Sequence, residues 1–199
     1  MHKLTATDYI PMPWKNGGGS TRQLAISPPS ASIDNFDWRI SVAHAATDGP
    51  FSLFPGVDRS LILSHGTLSM EVDGGEAVTL TAGDEPFVFR GEQQIQATLP
   101  DGPIADFNVM TRRHRCTHGL QILRVDGELE FKQRADLVFI HVAQGHLRCA
   151  NATGEAVNCR EGESLLLDRK ESARIVLSPE SSALLYIARI TFKDASHAQ

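Results

Sequence analysis

The chain has 199 residues, 41% of them hydrophobic, enough to bury a substantial core in one large domain or two small ones. A net charge of −5 and a pI near 5.9 argue against nucleic acid as the main partner. Three cysteines without a CxxC pair, and the lack of a signal peptide or membrane-length apolar run, make a cytoplasmic protein with no membrane partner the expectation.

Along the chain, Met12-Pro13-Trp14-Lys15-Asn16-Gly17-Gly18-Gly19-Ser20-Thr21 sets an indole, a cation, an amide and hydroxyls around three consecutive glycines. Such a run marks a tight bend or a close backbone approach. Polar groups around it suggest a ligand site, and a mobile surface loop is the alternative. Phosphate-binding motifs do not fit. A P-loop places its Lys after the last glycine, between a strand and a helix, whereas Lys15 precedes the glycines and Pro11 and Pro13 spoil a central strand before them. No βαβ unit follows, which removes a dinucleotide fingerprint.

A short helix is predicted around residues 30–36. Short apolar runs punctuated by Gly, Pro and Asp then recur at 38–43, 61–63, 68–72, 87–89, 107–110, 138–142, 165–167, 174–177 and 184–190. Their length and turn spacing predict an all-β sandwich or barrel. Residues 193–199 read as a polar, disordered tail. An internal repeat organises the rest: Gly66, Leu68, Gly75, Glu76, Ala77, Val78 and Gly83 recur as Gly145, Leu147, Gly154, Glu155, Ala156, Val157 and Gly162, each 79 residues on. The repeat predicts two tandem β-barrels, with residues 1–112 as an N-terminal strap plus the first barrel and 113–192 as the second.

Each copy resembles the cupin family, a small jelly-roll (RmlC-like) barrel, in the Gly-acid turn that leads into an apolar strand at Ala82-Gly83-Asp84-Glu85-Pro86-Phe87-Val88-Phe89. The resemblance implies metal-ligand positions. In the first copy these hold Arg59, residues 52–55 and Gln94, and in the second Val138 and Ala173, none of the expected ligand type. His65, His141 and His146 do not form a ligand set either. A metal-free pair of cupin barrels without a cofactor is therefore expected, with no independent site in the second copy.

Arg59 replaces an acidic ligand and inverts the charge of the first barrel's mouth, where its planar fork suits a carboxylate. The alternative is a structural ion pair with Asp58 or Asp106. The segment before it holds Pro50, Phe51, Ser52, Phe54 and Pro55, a stiff and partly apolar wall for a small ligand. By alternation Arg39 and Ser41 share one face of a strand, and Asp106 and Asn108 share one face of another. Pattern alone leaves both orientations of these polar faces open.

These motifs in order, Met12–Gly19 with Thr21, Trp38-Arg39-Ile40-Ser41, Gly49-Pro50-Phe51-Ser52 with Phe54-Pro55-Gly56 and Arg59, and Asp106-Phe107-Asn108-Val109-Met110 with Arg112, resemble the HutD/Ves family from about residue 3 to residue 192. The resemblance implies two cupin barrels in one chain. For the HutD branch it implies a governor of histidine utilisation that binds a pathway intermediate, N-formylglutamate or urocanate; the Ves branch is linked to cold or stress responses. On that reading Arg59 clamps a carboxylate and Lys15 adds a second positive charge. Asn16 or Asn108 hydrogen-bonds an amide or carbonyl, and Asp106 orients an Arg or accepts a donor. Trp14 and Phe51 form apolar walls, with Thr21, Arg39, Ser41 and Ser52 beside them.

The expected function is thus a non-catalytic binder of a small anionic metabolite. The alternative is a metal-independent isomerase, epimerase or lyase acting on a small acid, with His44 or Asp106 as general base. A third reading is an interaction module whose second barrel docks on the first, and a free edge strand is compatible with a homodimer.

Overall fold

The computed structural model of the chain describes residues 1–193 apart from Asn16. Asn16, and the expected polar tail beyond residue 193, therefore lie outside the described residues. Among the described residues nineteen strands and one short helix follow in order: β1 (His2–Leu4), β2 (Ile10–Pro13), β3 (Gly19–Ser27), β4 (Trp38–Ala45), β5 (Gly49–Pro50), β6 (Val57–His65), β7 (Thr67–Val72), β8 (Ala77–Thr81), β9 (Phe87–Arg90), β10 (Ile95–Thr98), β11 (Ile104–Arg112), β12 (Cys116–Val125), β13 (Leu129–Phe131), β14 (Leu137–Gln144), β15 (His146–Asn151), β16 (Ala156–Arg160), β17 (Ser164–Asp168), α1 (Arg169–Ser172), β18 (Ile175–Pro179) and β19 (Ala183–Phe192). The protein is all-β but for α1, and every apolar run read from the sequence falls in a strand, Arg174 excepted. No helix is long and apolar enough to cross a membrane.

The helix expected at 30–36 does not form. Ala31 N–H donates to Pro28 O at 2.9 Å, and the Asn35 side-chain oxygen accepts from Ser32 N–H at 2.7 Å. Asp34 N–H donates to Ser32 Oγ at 3.2 Å. Side chains of Ser and Asn satisfy the local backbone in turns and outcompete a short helix. Phe36 anchors the loop in a small core with Val57 and Met110. Arg112 clasps it from below, donating to Phe36 O at 3.0 Å and Asp34 O at 2.8 Å. The helix that does form, α1, has a capping box between Asp168 and Glu171.

The chain divides into two compact units, Tyr9–Thr117 and Met1–Asp8 with the chain from His118 onward. This differs from the expected 1–112 and 113–192. The first residues join the later unit because β1 pairs antiparallel with β17, and Lys3 Nζ lies 2.6 Å from Glu163. The unit Tyr9–Thr117 has a six-stranded sheet, β2-β3-β4-β11-β6-β9, and a four-stranded sheet, β5-β10-β7-β8. Leu61, Leu63, Leu68, Met70, Phe89 and Ile95 fill the core between them. The other unit has a five-stranded sheet, β1-β17-β14-β19-β12, and a four-stranded one, β13-β18-β15-β16. Its core is larger, running through Val138, Ile140, Val142, Leu147, Leu165, Leu177, Leu185 and Ile187.

The 79-residue offset holds beyond the glycines that revealed it. β7 and β15 superpose residue for residue on that offset, as do β8 and β16. Ladder register is repeated too: Asn108↔Leu61 and Asp106↔Leu63 in one unit match Ile187↔Ile140 and Leu185↔Val142 in the other. Even the bulge recurs, between Ala105 and Asp106 and between Val142 and Gln144. Gly66 at φ +82° and Gly145 at φ +84° make the same hairpin turn. A Cβ on Gly66 would meet Ile104 Cγ2 at 2.9 Å, and one on Gly145 would meet Ser182 O at 2.5 Å, so only glycine fits either place.

Candidate functional site

Pairing β3, β4, β11 and β6 in register builds the floor of a cavity in the Tyr9–Thr117 unit. Met110 lies between Arg39 on β4 and Arg59 on β6. One step along, Asn108 lies between Ser41 and Leu61, and one step further Asp106 lies between Ala43 and Leu63. Strand alternation puts all these side chains on one face. The cavity above them has a volume of about 540 Å³ and lies against both sheets of the unit, with Leu68 and Ala97 from the opposite one. That volume suits a small metabolite.

Every described residue expected from the sequence to bind ligand lines this cavity: Trp14, Lys15, Thr21, Arg39, Ser41, Phe51, Ser52, Arg59, Asp106 and Asn108. The polar faces of β4 and β11 therefore point inward, the question that alternation left open. Arg39, Ser41, Arg59, Asp106 and Asn108 are all more than nine-tenths buried. Lys15 and Ser52 are exposed. His44, the candidate general base, is not among the lining residues. It alternates away from Arg39, Ser41 and Ala43, is exposed, and lines a separate hollow of about 490 Å³ with His65, Ser20 and Gly19. That removes it from any chemistry in the cavity.

The glycine-rich segment is a hairpin turn rather than a free strap. Pro13 pairs with Ser20, Trp14 N–H donates to Gly19 O at 3.0 Å, and Gly17 N–H to Trp14 O at 3.0 Å. The prolines are tolerated because β2 is the edge of its sheet. Gly19 is where the backbone must be bare. A Cβ there would lie 2.4 Å from His44 O and 2.8 Å from the Trp14 ring. With the indole packed on that glycine, Trp14 Nε1 donates to Thr21 Oγ1 at 2.9 Å, which fixes the ring as a cavity wall.

The electrostatics are lopsided. Arg39 donates to Gln23 Oε1 at 2.9 Å, to Ser41 Oγ at 3.5 Å and to Met12 Sδ at 3.5 Å, all neutral acceptors. Arg59 donates to Ser52 O at 3.3 Å, and its guanidinium lies over the rings of Phe89 at 4.7 Å, Phe54 at 5.4 Å and Phe51 at 5.5 Å. Among the described residues neither guanidinium makes a salt bridge. Asp58 pairs with Arg113 at 2.8 Å instead, so the ion pairs considered for Arg59 do not form. Burial pulls Arg59 down to about 10, with the field of Asp106 opposing and that of Arg39 adding to the fall. Burial raises Asp106 to about 6 against the pull of Arg59 and a hydrogen bond from Asn108. Among the described residues Arg59 Nε, Asp106 Oδ1 and Asn108 Oδ1 are buried without a hydrogen-bond partner. Among the described residues no group of three or more His, Cys, Asp or Glu is placed to hold a metal ion.

Sequence reasoning passed over Gln23 and Phe89 as site residues. Gln23 pairs with Ser41 across β3 and β4, and Phe89 with Arg59 across β9 and β6. Those registers are long-range and leave no local signal.

Comparison with known proteins bears on this geometry. A model of the HutD family matches residues 6–185. The chain belongs to the HutD family. Its relatives include Protein Ves from Citrobacter koseri, 44% identical over 105 residues, and the chain spans 52% of its own length and 53% of that protein's. About half the length of the Ves proteins is thus covered. A further relative is the uncharacterized 21.2 kDa protein in the hutC 3′ region of Pseudomonas putida, 35% identical over 153 residues, 76% of this chain and 78% of that one. Among solved structures, a conserved protein of unknown function from Pseudomonas aeruginosa PAO1 matches at 30% identity with a TM-score of 0.89, covering 96% of this chain and 98% of that one. HutD from Pseudomonas fluorescens SBW25 matches at 30% identity with a TM-score of 0.80 and the same coverage. A cupin 2 conserved barrel domain protein from Leptotrichia buccalis, 10% identical with a TM-score of 0.56 over 86% of this chain and 88% of that one, shares the fold alone.

Proposed function

We propose that this HutD-family protein binds a small carboxylate metabolite in the cavity of the Tyr9–Thr117 unit, as a non-catalytic regulator of histidine utilisation. One observation carries the reading: Arg39 and Arg59 are both buried in one cavity, and their partners are neutral. Among the described cavity residues two buried cations face a single buried acid, Asp106, and burying charge that is not fully balanced costs several kcal/mol. An acidic ligand offsets that cost with charge-assisted, bidentate hydrogen bonds. Rigid walls from Trp14, Phe51 and Phe54 exclude water around it. N-formylglutamate and urocanate are the acids that the family suggests, and a relative in the hutC 3′ region supports the pathway.

Calorimetric titration with N-formylglutamate, urocanate and glutamate tests the proposal. Saturable binding of one of the first two, weakened roughly 30-fold in Arg59→Met, is the expected result. No binding at millimolar ligand, about −4 kcal/mol, would overturn it.

A second reading draws on Asp106, whose raised pKa of about 6 suits a general base. A metal-independent isomerase, epimerase or lyase would convert one of these acids. Product formation that disappears in Asp106→Ala would replace the first reading by this one.

A further inference from the structure

The two buried arginines are not in the same electrostatic state. The field of Asp106 supports the charge on Arg59 against burial, whereas burial acts on Arg39 with no acid to oppose it. What surrounds Arg39 is polar but uncharged. Its Nε–H donates to Gln23 Oε1 at 2.9 Å, and its terminal nitrogens donate to Ser41 Oγ and Met12 Sδ, each at 3.5 Å. A guanidinium has five N–H donors. These bonds engage one hydrogen on each nitrogen, which leaves one on each terminal nitrogen, the pair that a bidentate carboxylate takes.

Gln23 makes the shortest of these bonds. It pairs with Ser41 and is followed by a bulge in β3, which sets Ile26 rather than Ala25 opposite Arg39. Gln23 therefore meets the guanidinium diagonally across the ladder. It is buried and is not among the residues that line the cavity, so it acts on a ligand only through Arg39. An amide oxygen at that place orients the planar fork as a carboxylate would, and adds no charge. A carboxylate there would instead form a buried salt bridge and neutralise Arg39 from within the protein.

We infer that Arg39 is the unbalanced cation of the cavity and the principal anchor of its anionic ligand, and that Gln23 is the positioning residue that aims the Arg39 fork while leaving its charge to the ligand. This rests on the carboxylate-binding reading and moves the main clamp from Arg59 to Arg39. Arg59 has Asp106 and three aromatic faces to support its charge, and Arg39 has neither.

The test compares Gln23→Glu with Gln23→Met at pH 7.5, by calorimetry with N-formylglutamate and urocanate and by urea denaturation. Gln23→Glu keeps the shape and the acceptor but pairs the cation. Affinity for the acid that wild type binds should fall by about 100-fold while the urea midpoint rises. Gln23→Met keeps the charge and loses the aim, and should lower affinity by about tenfold. A residue that served packing alone would move affinity and stability in the same direction. Binding by Gln23→Glu within about threefold of wild type, or a lower urea midpoint beside the lost affinity, would overturn the inference and leave carboxylate binding standing. If Gln23→Glu does not fold, Gln23→Met decides, and unchanged affinity there overturns the inference in the same way. Failure of the wild-type protein to bind either acid at millimolar concentration would overturn both.

Discussion

Burial moves two side chains of this protein in ways that set its response to pH. Asp106 keeps its proton to about pH 6 in the folded state, against 3.8 for the ordinary group. The folded state thus binds more protons than the unfolded chain between about pH 4 and 6, and stability falls as pH rises through that window. The full penalty, about 3 kcal/mol, is present at neutral pH. Asp106→Asn should therefore raise stability by up to about that amount at pH 7.5 and change it little at pH 4, as read by urea denaturation. A less stable variant at pH 7.5 would refute the argument. His141 works in the opposite sense. It accepts from or donates to Ser164 Oγ at 2.9 Å, and burial depresses it to about 4 from 6.5. Its contribution, about 3 kcal/mol, is intact above pH 6.5 and is lost as pH falls toward 4. His141→Gln should flatten that acid limb of the stability profile.

The cations should separate in the same way by burial. Arg59→Met removes a buried guanidinium and should cost roughly 30-fold in affinity for a carboxylate without lowering stability. Lys15→Ala removes an exposed charge at the mouth. It should cost only about threefold, and raised salt should erase the difference.

At the scale of elements, the β2–β3 hairpin depends on Gly19 for steric room. Gly19→Ala places a methyl against His44 O and the Trp14 ring, and should cost about 1–3 kcal/mol while displacing the indole. The chain has two tryptophans, and Trp38 is 3% exposed, so a red shift in emission on this substitution would report Trp14 alone. Unchanged emission and stability would show that the turn can relax. This hairpin also marks what the sequence made legible. The glycine run pointed to a close approach, and the cavity-lining residues around it were readable from their chemistry. Strand existence was readable from apolar runs and the repeat. Inward or outward orientation of Arg39 and Asp106 was not, because alternation has no sign. Gln23 and Phe89 reach the site through pairing with distant strands. The three-residue β1 is too short to carry a period, so its pairing with β17 left no trace. The turns at 30–36 misread as a helix because backbone capture by Ser32 and Asn35 competes with helix formation at the same residues.

For the whole molecule, the 79-residue repeat supplies an internal comparison. The positions of Arg59, Asp106 and Asn108 are those of Val138, Leu185 and Ile187 on the 79-residue offset, and these three are fully buried in a continuous apolar core. The same ladders, register and bulge therefore support a lined cavity in one unit and a buried apolar cluster at the matching positions of the other. Filling the cavity from its own twin, with Arg59→Val, Asp106→Leu and Asn108→Ile together, should give a folded protein with a higher midpoint of urea unfolding and no affinity for carboxylates. A triple variant that unfolds would show that the two frameworks are not interchangeable at these positions.

The shared bulge beside Asp106 and Leu185 sharpens that comparison. The two units hold two versions of the same floor, and exchanging one for the other trades a pocket for a core within unchanged ladders. Three buried polar side chains, Arg59, Asp106 and Asn108, are what separates a pocket from a core at these positions of the shared floor.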